Sequence, residues 1–407
     1  MRKLFLFCTL FFMNIQSFVL STEIKGLLIP NITTLLTFIA LAISAPKRFS
    51  SITVKLVLTF FLFFIWQSIA VVSQNIFTNH YSTLIRFLSD DSTFGIRNSV
   101  ITQSAYLFTC IIFFLVLYHE LKSNIEVDNV KKITKIGLLF YIAFGFYEFF
   151  YFIIFKNFGD FISNRITGDD FTYGLLQLYT ISGQTLFRVK SLSGEPSMLA
   201  YTISPFMVYY FVLKEKTWIP CFILLMLSNS STAIFGIAVL LFIIAKRSIY
   251  YVATSLTIAS IAYIIFKNEA NYIIESFLYK ISGHGVSGTD RLNFFVAHFS
   301  SWLDSNFIEI FFGHGFGTVR STDYLSTSLF NTGIFGFLTV TFLMLFPCNR
   351  LLRSGEEDKI AVSIALITSY IILMVSVPEL FYFHIWYFSA FAWHYYYETK
   401  YAPIKFT

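Results

Sequence analysis

The apolar residues of this chain are gathered into eleven blocks, most of about 16 to 21 residues, with short charged clusters between them. A helix of that length spans the hydrocarbon core of a bilayer. Only 13% of the 407 residues are charged, against about 25% in soluble domains, so a polar surface cannot cover the blocks. The pattern predicts an all-α integral membrane protein. The blocks cover residues 4–20, 27–44, 56–73, 99–118, 136–155, 198–213, 217–245, 249–266, 327–347, 360–376 and 379–395.

The charge, the cysteines and the N-terminal residues indicate which properties this membrane protein is expected to have. The net charge of +6 comes from Lys and Arg residues that lie between the apolar blocks, which indicates membrane orientation and not binding of nucleic acid. The four cysteines lie in or beside apolar blocks without C-x-x-C spacing, so we expect neither disulfides nor zinc. The first block resembles a signal peptide, but no small-x-small cleavage site precedes Ser21. We expect a retained first helix.

The block from Thr217 to Ala245 fits either one long span or two short ones. As one helix it would be about 43 Å long, and its middle is the polar run Ser228–Ser231. Two crossings give 12 helices and place 18 of the 29 Lys and Arg residues, Lys246 and Arg247 among them, on the cytoplasmic side. We therefore predict about 12 transmembrane helices with both termini inside.

This topology leaves two large periplasmic loops, 156–197 and 267–326, and a shorter outer segment, 74–98. The other side of the membrane holds only tails and short turns. Because binding and catalytic residues concentrate on long loops that a rigid scaffold positions, the outer face is the predicted active face.

The first large loop delivers two cations and a carboxylate to the start of a helix. Arg188, Lys190 and Glu195 precede Pro196, which suits the first helical turn. One interpretation is a capped helix with interfacial cations that face lipid headgroups. A carboxylate at this place is better explained by a partner such as Arg188 or by a role as a base.

The second large loop contains a helical stripe of apolar residues. It predicts an amphipathic interfacial helix, capped by Thr289 or Asp290, with Arg291 and His298 on another shared face. A plain membrane anchor is an equally good interpretation of this helix. The stripe consists of Leu292, Phe295, Val296, Phe299, Trp302 and Leu303.

A glycine-rich turn follows this helix. Gly313, Gly315 and Gly317 surround His314, and such glycines permit close backbone approach and N–H groups that suit an anion. A flexible turn is the simpler interpretation, because no strand precedes the glycines as in nucleotide-binding loops. The charged residues after the turn are Arg320 and Asp323.

Glu148 and His384 are notable ionisable residues inside apolar blocks. Such residues are functional hypotheses by default, because an unpaired charge at mid-bilayer costs about 3 kcal/mol or more. Glu148 lies only about two turns from the outer end of its block, so an interfacial position is equally compatible with the sequence.

Five elements occur in a fixed order along the chain. They are Arg188-x-x-Ser191-x-x-x-Glu195-Pro196-Ser197, Ser230 with Thr232, Gly288-x-x-Arg291, Gly313-x-Gly315-x-Gly317 and Gly333-x-x-Gly336. In kind and order they resemble the bacterial O-antigen polymerase and ligase superfamily. The chain departs from that pattern at Ser231, where the family often has a basic residue, and at Asp323, where many ligase-like members have His or Asn.

The resemblance implies a GT-C-like fold with two large periplasmic loops. It implies transfer of an undecaprenyl-diphosphate-linked oligosaccharide onto the terminal hydroxyl of another lipid-linked repeat unit, at the periplasmic face of the bacterial inner membrane, without cofactor or metal. It also implies membrane lipids and a chain-length regulator protein as partners. Such a reaction needs cations for the departing diphosphate, a base for the hydroxyl and a groove for the lipid.

Residue roles follow from the same resemblance. Arg188 and Arg291 are expected to bind the diphosphate, because guanidinium groups bind phosphate in a bidentate manner. Glu195 or His314 is expected to be the base, with Glu195 preferred. The expected substrate-binding residues are Arg165, Lys190, Arg320, Asp323, Gly313, Gly315 and Gly317.

Two rival functions stay open at the level of sequence. The sister ligase moves the same glycan onto lipid A core, and the Gly-Glu-Pro-Ser element favours the polymerase over it. A transporter of lipid-linked glycan is the rival from another class. It is disfavoured because the chain has no convincing internal repeat and few central charges.

Overall fold

The computed structural model describes residues 1–21, 27–76, 84–85, 87–89, 92–93, 96–123, 126–165, 177–181, 184–247 and 286–401. These ranges are mostly helical and include two short antiparallel hairpins, β1 with β2 and β3 with β4. The helices are α1 Arg2–Phe12, α2 Ile29–Ser44, α3 Pro46–Ile76, α4 Asn98–Ser123, α5 Val127–Phe155, α6 Pro196–Val212, α7 Trp218–Leu227, α8 Ser231–Arg247, α9 Val286–Leu303, α10 Phe307–Phe312, α11 Tyr324–Leu351, α12 Glu357–Ser376 and α13 Phe383–Tyr401. The strands are β1 Ser92–Thr93, β2 Ile96–Arg97, β3 Leu178–Ile181 and β4 Gln184–Phe187.

Helix length and composition confirm a membrane protein at a coarse level. Within the described ranges, 5 helices are long and apolar enough to cross a membrane, namely α3, α4, α5, α11 and α12. Three shorter apolar helices are α2, α7 and α8. Each predicted span that falls in the described ranges contains a helix, and the block 249–266 lies outside them. The total of 12 crossings stays a prediction.

Helix α1 is shorter than the first predicted span, because it ends at Phe12 and not near Leu20. Its Leu6 and Leu10 are buried in the main core, and it packs against α2 and α5. The contact with α5 is close: a Cβ on Gly137 would lie 2.3 Å from the Phe11 carbonyl oxygen. The first helix is therefore an integral part of the bundle in this structure.

Helices α3 and α6 differ in how much of their apolar surface is exposed. Helix α3 exposes large apolar side chains such as Phe61 and Phe64, each more than half exposed, and an apolar face of that size suits lipid and not water. Helix α6 is buried along nearly its whole length and packs against α7, α8 and α12. A helix buried on every side belongs at the centre of a bundle.

Charged residues from the predicted cytoplasmic segments meet at one end of the bundle. Lys131 Nζ lies 2.6 Å from Asp358 Oδ2, and Arg2 Nε lies 3.3 Å from Glu120 Oε1. Segments predicted to be periplasmic meet at the other end, where the Gln16 N–H donates to the Leu192 carbonyl. These contacts bring some segments of each predicted group together, and the side of the membrane that each group faces stays a prediction.

The block 217–245 breaks at its polar middle, as the two-helix interpretation requires. Helices α7 and α8 are separated at Asn229, whose backbone is left-handed with φ of 40°. The end of α7 lies near the start of α6, since the Val189 N–H donates to the Leu227 carbonyl at 3.2 Å. Helix α8 then returns along α6, because a Cβ on Gly236 would lie 2.2 Å from Ser204 Oγ.

Helix α9 lies where the sequence predicts an amphipathic helix, but it begins earlier than predicted. The helix begins at Val286, so the prediction that Thr289 or Asp290 caps it is wrong. Leu292 and Val296 of the apolar stripe are more than half exposed. Arg291 and His298 share the opposite face, which packs against α11.

Candidate functional site

The loop before α6 is anchored by a buried carboxylate. Glu148 of α5 accepts hydrogen bonds from the backbone N–H of Lys190 at 3.1 Å and of Ser191 at 2.8 Å. The Gln177 amide donates to its other oxygen at 2.5 Å. Because these contacts fix the backbone six and five residues before α6 begins at Pro196, the Glu148 carboxylate has a structural role here.

Lys190 contributes to the same anchor. Its ammonium group forms a buried ion pair with Asp160, and Ser163 Oγ lies 3.4 Å from the same nitrogen. Ser191 Oγ donates to the Tyr141 carbonyl at 2.6 Å. The predicted substrate-binding Lys190 is therefore placed in an ion pair inside the loop, and its charge is balanced there.

Glu195 lies at the N-cap of α6, where Pro196 begins the helix. Its own side chain makes no capping hydrogen bond. Instead, Ser197 Oγ donates to Glu195 Oε1 at 2.7 Å, and the residue is half-buried. The helix start thus holds a carboxylate that is partly open to the outer end of the bundle.

Arg291, on α9, interacts electrostatically with this carboxylate. Its Nη1 donates to Ser376 Oγ at 2.9 Å, at the C-terminal end of α12. Burial lowers the pKa of Arg291, while the nearby carboxylates of Glu195 and Asp323 favour its charged form. The guanidinium group is therefore half-buried, charged and close to Glu195.

Arg320 approaches from the segment before α11. Its Nη2 lies 2.9 Å from Glu379 Oε1, in the connection between α12 and α13. The Glu379 carboxylate raises the pKa of Arg320, and Tyr382 and Glu195 act in the same direction. The side chain of Arg320 is 44% exposed, so a ligand outside the protein can reach it. We call Glu195, Arg291, Arg320, Glu379 and Tyr382 the outer polar cluster.

Two small clefts, with volumes of about 30 and 60 Å³, adjoin this cluster, and Gln103, Glu379 and Phe381 line both of them. Arg320 lines the first cleft and Arg165 the second. Arg165 is held in place because its Nη1 donates to the Gln16 carbonyl at 3.2 Å. The clefts therefore offer a guanidinium group on each side of a shared carboxylate.

Arg188 lies beside the cluster through the turn between α7 and α8. Its Nε donates to the Ser228 carbonyl at 3.4 Å. Four residues later, Thr232 Oγ1 lies 2.5 Å from Ser376 Oγ, the group that also accepts from Arg291. Arg188 thus contacts the end of α7, and Arg291 shares the Ser376 hydroxyl with Thr232 near the start of α8.

Asp323 has a local structural role. It caps α11, accepting from the Ser326 N–H at 2.7 Å and from Ser326 Oγ at 2.8 Å. Burial raises the pKa of the Asp323 carboxyl, and its hydrogen bonds with Ser326 oppose that shift. The negative charge of Asp323 also favours the protonated forms of Arg291 and His298. Asp323 therefore stabilises the positive charge of Arg291, a member of the outer polar cluster.

His314 is not brought together with Glu195. It is buried, its ring stacks on Phe330 with centroids 4.2 Å apart, and its Nδ1 lies 3.1 Å from the Phe330 carbonyl. Its Nε2 lies 3.3 Å from Ser305 Oγ and 3.4 Å from Glu309 Oε2. These contacts indicate a residue that holds the segment between α10 and α11 together.

The glycine-rich turn packs against helices. Gly313, Gly315 and Gly317 all have positive φ, and a Cβ on Gly313 would lie 2.4 Å from the Asn331 carbonyl carbon. The N–H groups of Gly313 and Gly315 donate to backbone carbonyls, and the Phe316 N–H donates to the Gln67 side chain at 2.9 Å. These N–H groups are engaged within the protein, so they do not form the predicted anion site.

Sequence reasoning missed three residues of this region, namely Ser376, Glu379 and Tyr382. Glu379 was included in an apolar block, although the preceding Pro378 marks a break between two blocks. That proline and a lone carboxylate beside it were the available signal. Ser376 and Tyr382 carry no signal in the sequence, because only the packing of α12 and α13 shows where they lie.

The arrangement can bind an anion and activate a hydroxyl group. Guanidinium groups bind diphosphate oxygens in a bidentate manner, and a partly buried carboxylate beside them can accept a proton. Comparison of this chain with protein-family models, with curated proteins and with solved structures gives no match.

Proposed function

We propose that this protein is a polysaccharide polymerase that transfers a polyprenyl-diphosphate-linked glycan onto the terminal sugar hydroxyl of a second lipid-linked repeat unit. The outer polar cluster is the site of transfer, and the face that carries it is periplasmic. The observation that carries this proposal is that Arg291 and Arg320, from two separate parts of the chain, both interact electrostatically with Glu195.

The charges of the cluster suit the charges of the reaction. The acceptor oxygen attacks the anomeric carbon, the bond from that carbon to the diphosphate oxygen breaks, and the diphosphate leaves with the electron pair. Arg291 and Arg320 stabilise the negative charge that develops on this leaving group. Glu195 accepts the proton of the acceptor hydroxyl, which can then pass to the departing diphosphate.

The position of the cluster suits the substrates. It lies at the end of the bundle where the predicted periplasmic segments meet, and the apolar faces of α3 and α4 adjoin it through Phe316 and Gln103. A substrate with a sugar, a diphosphate and a long apolar chain needs polar and lipid-facing surfaces side by side.

The test is an analysis of lipid-linked and surface glycans in a deletion strain that carries either the wild-type gene or a Glu195→Gln variant. Loss of a polymerase leaves a single repeat unit on the acceptor, and only the wild-type gene restores long chains. Long chains that accumulate on polyprenol would instead identify a ligase. Unchanged glycans in the deletion strain would contradict the proposal.

A further inference from the structure

A second groove opens between α11 and α13, at the end of the bundle opposite the outer polar cluster. Its volume is about 620 Å³, in the range of ligand pockets. Its walls include Phe342, Leu345, Phe346 and Tyr396, and its end carries Arg350 and Arg353. We call this the α11–α13 groove.

The walls of the groove are apolar and open to the side of the bundle. Phe342 and Phe346 are 56% and 43% exposed, and their ring centroids lie 4.5 Å apart. Thr341 also lines the groove, but its hydroxyl is bonded to the Phe337 carbonyl and to the Tyr370 hydroxyl. A hydrocarbon chain that lies in the groove would therefore contact mainly the carbon atoms of these apolar side chains.

The end of the groove is cationic and partly preorganised. Arg350 Nη2 donates to the Thr399 carbonyl at 2.9 Å, and its guanidinium carbon lies 5.7 Å from the centre of the Tyr396 ring. A guanidinium group has five N–H donors, so this bond leaves donors for a ligand. Arg353 is exposed beside it.

The carboxylates at the start of α12 form ion pairs with lysines. The acidic residues at the start of α12 are Glu356, Glu357 and Asp358, and each of them pairs with a lysine. Their partners are, in the same order, Lys359, Lys214 and Lys131. The two arginines thus keep a positive potential at the mouth of the groove.

The length of the groove matches one leaflet of a bilayer. From Thr341 to Arg350, α11 rises about 14 Å, close to half of the hydrocarbon core of about 30 Å. We propose that the α11–α13 groove binds an anionic phospholipid, with the phosphate at Arg350 and Arg353 and one acyl chain along Phe342 and Phe346. Charge complementarity selects this occupant over a neutral lipid.

The test measures lipid binding to the purified full-length protein by native mass spectrometry in a neutral detergent. Dioleoyl phosphatidylglycerol is compared with dioleoyl phosphatidylcholine and with inorganic phosphate. We expect the wild-type protein to bind the anionic lipid preferentially. The double variant Arg350→Gln, Arg353→Gln should weaken that binding at least about tenfold, whereas the matched variant Lys47→Gln, Lys216→Gln removes two exposed charges elsewhere and should not.

A second variant tests the groove without changing its charge. Leu345→Trp fills the apolar wall and should also weaken binding of phosphatidylglycerol, with both arginines intact. Equal binding of the two lipids by the wild-type protein would overturn the proposal. So would unchanged binding in the arginine or tryptophan variant, and competition by inorganic phosphate alone would assign the site to a free anion.

Discussion

Glu195 is the residue on which the proposed chemistry depends. Pro196 fixes the backbone at the helix start, and Ser197 Oγ holds one carboxylate oxygen at 2.7 Å. Replacement by Gln keeps the size and removes the charge. We expect Glu195→Gln to lower the reconstituted polymerisation rate by about two to four orders of magnitude, with donor binding retained.

The matched control for this variant is Ser197→Ala, which removes one hydrogen bond to the same carboxylate. That bond contributes about 1 kcal/mol, so the rate should fall by no more than about tenfold. A Glu195→Gln protein that keeps more than about a tenth of the wild-type rate would exclude Glu195 as the base.

Arg291 allows a test of the anion site. Lysine keeps the positive charge but loses the planar fork that also donates to Ser376. Arg291→Lys should therefore impair transfer, and Arg291→Ala should abolish it while the protein stays folded. Arg97→Ala is the control, because Arg97 lies in β2 and donates to the Ser89 carbonyl, outside the cluster. Long polymer from Arg291→Ala at normal expression would show that the site is assigned wrongly.

His314 is the rival base, and the structure predicts a different effect for it. His314→Ala removes the ring that stacks on Phe330 and that faces the buried carboxylate of Glu309. We expect a lower thermal midpoint and less folded protein, because a buried polar group that loses a partner costs about 1 to 3 kcal/mol. A normal thermal midpoint with a rate lowered more than about a hundredfold would instead make His314 the base.

At the scale of elements, the kink in α11 is a feature that can be tested by itself. Gly333 has φ of 61°, and a Cβ there would lie 2.4 Å from the Phe311 carbonyl oxygen. Gly333→Ala must therefore separate α10 from α11 and should sharply lower the yield of folded protein. Gly355 provides the control, since its φ is 75° and nothing lies within 4 Å of its added Cβ.

The expected contrast between these two glycine variants is large. Gly355→Ala meets only the backbone strain of the left-handed region, about 1 kcal/mol, and should leave a nearly normal thermal midpoint. Gly333→Ala adds a steric conflict with backbone atoms, which cannot move as side chains do. Equal thermal midpoints for the two variants would show that α10 and α11 do not approach as closely as described.

Hydropathy and polar breaks predict the helices well, because a bilayer allows few structures within it. The break at Ser228–Ser230 and the presence of α9 follow directly from local sequence. The start of α9 does not, because Thr289 and Asp290 have the chemistry of a cap but lie inside the helix. Cap residues mark a helix start only where the chain before them is not helical.

The candidate site was predictable in part. The motifs indicated Glu195, Arg291 and Arg320, but their proximity depends on how α6, α9 and α11 pack, and local sequence does not carry that information. The same packing explains the glycine turn. Its positive φ values and tight contacts join α10 to α11, whereas the sequence alone favours a flexible turn and leaves an anion site open.

For the whole molecule, the charge pattern and the structure agree on two groups of segments. Lysines and arginines of the tight turns lie at one end, and the outer polar cluster lies at the other. Helix positions alone do not say which end faces the cytoplasm. The positive-inside rule supplies that step, because 18 of the 29 cationic residues fall in the first group of segments.

This orientation can be tested with two exposed positions in a protein without its native cysteines. Asp304 lies between α9 and α10 on the predicted periplasmic side, and Lys216 lies between α6 and α7 on the predicted cytoplasmic side. A membrane-impermeant thiol reagent should label Asp304→Cys in intact spheroplasts and Lys216→Cys only after lysis. The reverse labelling pattern would show that the protein has the opposite orientation in the membrane, with the outer polar cluster on the cytoplasmic side. Labelling of both positions in intact spheroplasts would contradict the assignment of these two segments to opposite sides of the membrane.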